Sequence, residues 1–222
     1  MQEQVFAGDK KVGQSMLHFV ERRFIDWAAP RVPKGIETYH LTLLTIPISL
    51  GIVGCSYLAQ FEINWLWAVS FLIALQWVTD SLDGSVGRLR DTGLVKWGYY
   101  MDHFLDYVFL CSILVGYALL LPEKFLYFQF FLLAIFGSFM VNSFLAFATT
   151  NRFRIEHLGI GPTEIRLVFI GVNTMFIVFG KTYLGWTLPA IVVLSVLCLV
   201  LVVYRTQREI WKIDMEAKRK KI

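Results

Sequence analysis

Long apolar runs alternate with short polar stretches along this chain. Six runs are long enough to cross a bilayer, which takes roughly 20 mostly apolar residues in a helix. They predict spans at 41–60, 65–81, 98–121, 125–148, 163–180 and 185–205. Short connections follow the first, third and fifth spans, and longer polar stretches, 84–97 and 149–161, follow the second and fourth. Ahead of the first span, Met16, Phe19, Val20, Phe24 and Trp27 recur at helical spacing, with Glu21, Arg22, Arg23 and Asp26 between them. That spacing predicts an amphipathic helix within 12–35, lying along the membrane surface or packed on the bundle and ended by Pro30 and Pro33. The resulting fold class is all-α integral membrane: six transmembrane helices plus an N-terminal amphipathic interfacial helix. Three parts are expected: an N-terminal segment 1–40, a six-helix membrane domain 41–205 and a basic tail 206–222.

Composition agrees. Of 222 residues 56% are hydrophobic and 17% charged, where soluble domains carry about a quarter charged residues. The charges gather at the termini and between the apolar runs. With both termini on one side, all 21 Lys and Arg except Lys124 and Lys181 share that side. The positive-inside rule makes it cytoplasmic. Trp65, Trp67, Trp97, Tyr99, Tyr183 and Trp186 stand near span ends, as an aromatic belt requires. The first 35 residues are too polar for a cleavable signal. Lys218, Arg219, Lys220 and Lys221 read as a solvated, disordered end with weak attraction to anionic lipid. Cys55, Cys111 and Cys198 lie in apolar runs without metal-ligand spacing and read as buried small hydrophobes. A Gly-rich nucleotide loop, a His-rich zinc motif and a Ser or Cys triad are all missing.

The chemistry lies in four carboxylates. Asp80 and Asp83 are three apart at the end of the second span, and Asp102 and Asp106 are four apart near the start of the third. Each spacing puts a pair on one helix face. The connection between them returns the chain to the same side, so all four can converge on one polar pocket just inside the bilayer. Four ionised carboxylates there repel one another unless some are protonated or cations lie between them. All-oxygen ligation suits Mg²⁺ or Mn²⁺, and four carboxylates suffice for two ions. Gly84, Gly87 and Gly98 leave room for close approach, and Arg88 supplies a fixed cation suited to phosphate.

The segment from Asp80 to Asp106 resembles the signature of the CDP-alcohol phosphotransferase family. That signature is Asp, two residues, Asp-Gly, two residues, Ala-Arg, eight or nine residues, Gly, three residues, Asp, three residues, Asp. Asp80, Asp83, Gly84, Arg88, Gly98, Asp102 and Asp106 fit in order, and Gly87 stands where the family usually has Ala. The resemblance implies an enzyme that moves a phospho-alcohol from a CDP-alcohol to a hydroxyl acceptor and releases CMP. It implies Asp80, Asp83 and Asp102 as metal ligands, and Asp106 as general base that also touches metal. Gly84, Arg88 and Gly98 become the cradle for the donor's cytidine diphosphate. Homodimers are usual in the family, and nucleic acid is not a partner.

Compact members most often use CDP-diacylglycerol with a polar acceptor such as glycerol 3-phosphate, inositol phosphate or serine, and this is the first expectation. His103, directly after Asp102, resembles the choline/ethanolamine branch, where the donor is CDP-choline or CDP-ethanolamine and the acceptor diacylglycerol. His103 is then an alternative base. In members with phosphorylated acceptors, basic groups after the fourth span bind the acceptor phosphate; here these are Arg152, Arg154 and Arg166. The alternative is that they are simply positive-inside charge. The run Tyr39-His40-Leu41-Thr42 keeps the Leu-Thr of the family's usual first-span start but lacks its Pro-Asn. A cation- or proton-coupled transporter is the rival from another class, because intramembrane carboxylates also mark ion pathways. Against it, the acids crowd one membrane face.

Overall fold

The computed structural model describes residues 17–92, 94–150 and 161–220. Among these every regular element is a helix. They are α1 (His18–Ala28), α2 (Thr38–Leu43), α3 (Thr45–Leu58), α4 (Trp65–Arg90), α5 (Val95–Leu120), α6 (Leu126–Thr150), α7 (Pro162–Phe179) and α8 (Leu184–Arg219), with short 3₁₀ helices at Ala29–Arg31 and Glu123–Phe125. Six helical stretches are long and apolar enough to span a bilayer, with α2 and α3 together forming the first. The break at Leu44 has a local cause. Pro47 has no N–H to bond the Leu43 carbonyl, and its ring crowds that oxygen.

Helices α3, α4 and α5 form the centre of the bundle. Ile52, Leu66, Ile73 and Ile113 are fully or almost fully buried between them. Lipid tails are as apolar as these side chains, so close packing rather than water exclusion holds such helices together. Gly116 marks the tightest approach: a Cβ there would overlap the side chain of Ser56 on α3. A polar tie crosses the same core. Tyr117 donates to Asn173 Oδ1 at 2.9 Å, and Asn173 donates to Ser70 Oγ at 3.0 Å, joining α5, α7 and α4. Outer faces of α6 and α8 carry exposed apolar side chains such as Phe130, Phe131, Val193 and Leu197, as lipid contact requires.

Two elements run further than the apolar pattern predicts. Helix α4 continues past residue 81 to Arg90, so the expected polar stretch 84–97 is mostly helix. Its continuation is amphipathic: Leu82 and Val86 are buried against Ala28, Ala29 and Leu41, while Asp83, Gly84 and Arg88 face a cavity. Asp91 then ends the helix in the left-handed conformation, with φ 53°, which Asp tolerates better than most residues. Helix α8 continues to Arg219, so Lys218 and Arg219 belong to a helix, not to a disordered end.

Among the described residues of the predicted 12–35, helix α1 covers His18–Ala28 and packs one face on the bundle. Phe19, Val20 and Trp27 point outward. Phe24 stacks on Trp77 of α4 with ring centroids 5.0 Å apart. Arg90 secures the following segment to the end of α4, donating to the carbonyls of Val32 and Ile36 at 2.6 and 2.8 Å.

Candidate active site

A cavity of about 450 Å³ opens between the ends of α4 and α5, with α1, α2 and the start of α7 completing its walls. All four aspartates line it. Asp80, Asp102 and Asp106 each bring a carboxylate oxygen within 4.8 Å of the others. Asp102 and Asp106, four apart, share one face of α5, and that face meets Asp80 on the adjacent α4.

Asp83 stands apart from this trio. It is buried and accepts a hydrogen bond from Thr42 Oγ1 at 2.8 Å and another from the Gly84 backbone N–H. Thr42 belongs to the Leu-Thr pair at the start of the first span, so that segment does reach the site.

The glycines and Arg88 also line the cavity. At Gly84 a Cβ would come within 3.3 Å of Arg88 Nη1, so a larger residue there would push the guanidinium aside. A Cβ at Gly98 would meet no atom within 4 Å, so its missing side chain adds cavity space rather than helix contact. Arg88 donates to Ser85 Oγ at 3.0 Å and lies at the cavity wall.

His103 is buried at the same wall, its Nδ1 3.6 Å from Asp102 Oδ2. Tyr99 packs edge-on against its ring at 4.5 Å. The imidazole is therefore held among aromatic groups beside the carboxylates.

Arg166 takes an unexpected place. It is 5% exposed and is not among the residues lining the cavity. Its Nη2 donates to Asp80 Oδ2 at 2.9 Å and to Asp106 Oδ1 at 3.3 Å. Its Nε donates to Gln76 Oε1 at 2.7 Å. Arg152 and Arg154 lie outside the described residues. Glu164 is a helix cap: its carboxylate accepts from the Gly161 N–H at 2.8 Å and the Leu17 N–H at 3.0 Å. Those bonds answer the unpaired donors that open any helix.

The sequence reading missed Gln76, Thr42, Glu21 and Asp91 as members or neighbours of this site. Gln76 carried a usable signal, since it is polar within a span and four residues before Asp80. Glu21 comes from α1 and lines the cavity while accepting from Thr163 Oγ1 at 3.1 Å.

The family model described as CDP-alcohol phosphatidyltransferase matches residues 39–211. The chain belongs to this family. No curated protein matches the sequence. A CDP-alcohol phosphatidyltransferase is a transferase of substituted phosphate groups, acting on CDP-alcohol and alcohol substrates in phospholipid synthesis at a membrane. The matched residues include every described lining residue of the cavity except Glu21, Ile25 and Thr38.

The family uses a divalent metal, and the donor set fits one. Three carboxylates converge within 4.8 Å, all hard oxygen ligands of the kind Mg²⁺ and Mn²⁺ take. No described cysteine lines the cavity to favour a softer ion, and the imidazole of His103 stands at its wall beside the carboxylates.

Proposed function

We propose that this CDP-alcohol phosphatidyltransferase carries out a divalent-metal-dependent attack of an alcohol on the alcohol-bearing phosphorus of its donor, at the cavity between α4 and α5. The observation that carries this is the convergence of Asp80, Asp102 and Asp106 beside Gly84 and Arg88 in one 450 Å³ cavity. Asp80, Asp83, Asp102 and Asp106 would hold Mg²⁺ or Mn²⁺, with room in the ligand count for two ions. Bound there, the metal offsets charge on the donor pyrophosphate and on the departing CMP.

The chain's own groups have separate tasks. Arg88, with Gly84 and Gly98 leaving space, holds the diphosphate. Thr42 keeps Asp83 turned toward the cavity. Asp106 takes the proton of the acceptor hydroxyl as its oxygen bonds to phosphorus and the bond to CMP breaks. Its Oδ1 accepts from Arg166 Nη2 at 3.3 Å, which orients the carboxylate beside the cavity. His103, beside Asp102, is the alternative base. The lysine and arginine distribution supports a cytoplasmic cavity and cytoplasmic termini.

For the substrates, we put CDP-diacylglycerol with a polar acceptor first and CDP-choline or CDP-ethanolamine with diacylglycerol second. The second pair is supported by His103, buried at the cavity wall directly after Asp102. Among the described lining residues Arg88 is the one arginine, and Arg166 is paired with Asp80 and Asp106.

The test is CMP release by purified protein in lipid micelles with Mg²⁺ or Mn²⁺, comparing these donors with a panel of acceptors. Release from CDP-diacylglycerol with a polar acceptor is expected. Release only from the CDP-amino alcohols with diacylglycerol would reverse the substrate order and make His103 the next residue to vary. If CDP binding shows no metal dependence, the proposed metal site is wrong.

A further inference from the structure

We propose that Arg166 is a resident cation of the carboxylate cluster: a positioning residue that clamps Asp80 to Asp106 and weakens the cluster's hold on divalent ions. The inference rests on the reading of Asp80, Asp102 and Asp106 as the metal site, and it goes beyond that reading by giving the site an internal competitor.

A guanidinium in the first turns of an apolar helix has few ways to meet its charge, and this one meets it entirely on the cluster. Asp80 and Asp106 come from different helices, α4 and α5, and one Nη2 bridges them at 2.9 and 3.3 Å. Gln76 holds the bridge in register. It is fully buried, accepts from Arg166 Nε at 2.7 Å, and directs its Nε2 to Asp106 Oδ1 at 3.5 Å. On another side the guanidinium carbon lies 5.7 Å from the centre of the Phe109 ring. Arg166 therefore approaches the carboxylates from outside the cavity, while a metal ion and the donor approach from within it.

The consequence follows from charge. Three ionised carboxylates carry three negative charges, and Arg166 reduces this to two, the charge of one divalent ion. A fixed cation a few ångströms from an incoming ion repels it, and burial keeps the repulsion from being screened. Arg166 thus lowers metal affinity and holds the two helices in ligand-ready geometry before any ion binds. A lysine carries the same charge on a single nitrogen and cannot bridge both carboxylates while also bonding Gln76.

The experiment titrates Mn²⁺ into purified, nucleotide-free protein and follows free Mn²⁺ by electron paramagnetic resonance. CDP affinity, acceptor KM, kcat and melting temperature are measured on the same preparations. Arg166→Gln is expected to bind Mn²⁺ at least about tenfold more tightly while kcat falls. Arg166→Lys is expected to keep Mn²⁺ affinity within about threefold of the parent, with lower kcat and unchanged CDP affinity. Mn²⁺ binding by Arg166→Gln that is unchanged or weaker, in folded protein, overturns the proposal. So does a raised acceptor KM with metal affinity untouched, which would make Arg166 an acceptor ligand. If Arg166→Gln does not fold, Arg166→Lys decides, because parental kcat in that variant shows the bridge to be dispensable. Failure of the parent protein to bind Mn²⁺ sinks the metal-site reading itself.

Discussion

Single side chains divide the labour of this site, and substitutions should separate their roles. Asp102 lies within the oxygen trio, so Asp102→Asn should abolish metal-dependent CDP binding, read by titration calorimetry with and without Mn²⁺. Asp106→Asn should weaken metal-dependent CDP binding less than Asp102→Asn does, and lower kcat by roughly 100-fold or more, the scale of a lost general base. If Asp106→Asn stays active, His103→Gln becomes the decisive variant. Thr42→Val removes the hydroxyl that Asp83 accepts at 2.8 Å. A hydrogen bond to a charged group contributes about 1.5–3 kcal/mol, so kcat/KM should fall at least about tenfold, measured as CMP release. The aspartates were legible in the sequence because charge inside an apolar run is conspicuous and their spacing selects a helix face. Thr42 and Gln76 were harder to read. An uncharged polar residue in a span is ordinarily a helix-to-helix hydrogen bond, and Thr42 meets Asp83 only through a pairing 41 residues apart. Arg166 was legible as a cation near the site, but the sequence did not say which way it would turn.

At the scale of helices, apolar length located all six spans and misjudged two ends. Hydropathy stops where polar residues begin, at about 81 in α4 and 205 in α8. In α4 the backbone continues because one stripe of the extension, Leu82 and Val86, stays buried; in α8 no residue after Val202 is buried, and the extension is an exposed polar helix. The α4 extension matters for function, since it puts Gly84 and Arg88 on a rigid helix rather than in a loop. Packing supplies the rigidity. Gly116 lets α5 approach α3 so closely that a Cβ would overlap Ser56. Gly116→Val should therefore separate the two helices at a cost of about 1–3 kcal/mol. Its melting temperature in detergent should fall, and Gly116→Val with Ser56→Gly should recover part of the loss. A melting temperature unchanged in Gly116→Val would show that the contact has slack.

For the whole molecule, sidedness decides which reactants can reach the cavity from water. The clustering of basic residues predicts that, in sealed vesicles with the cytoplasmic face outward, a cysteine at Arg208 reacts with an impermeant thiol reagent. One at Lys124 should react only after permeabilisation, and the reverse pattern would invert the topology. The cavity's position near the ends of α4 and α5 lets a lipid arrive along the bilayer while a nucleotide arrives from solution. Bundle architecture was legible because a bilayer permits so few folds: every backbone polar group must be satisfied within its own helix. Contact of α1 with the cavity was not legible, because an amphipathic stripe suits a lipid surface and a protein surface equally. Finally, α8 runs without a break from Leu184 to Arg219. At 1.5 Å per residue, residues 206–219 extend roughly 20 Å beyond the apolar stretch. Whatever is joined at that end rides on a mast rather than a tether. A dye at Lys220 should show one narrow energy-transfer distance to a bilayer probe, and Gly-Gly at Thr206 and Gln207 should broaden it.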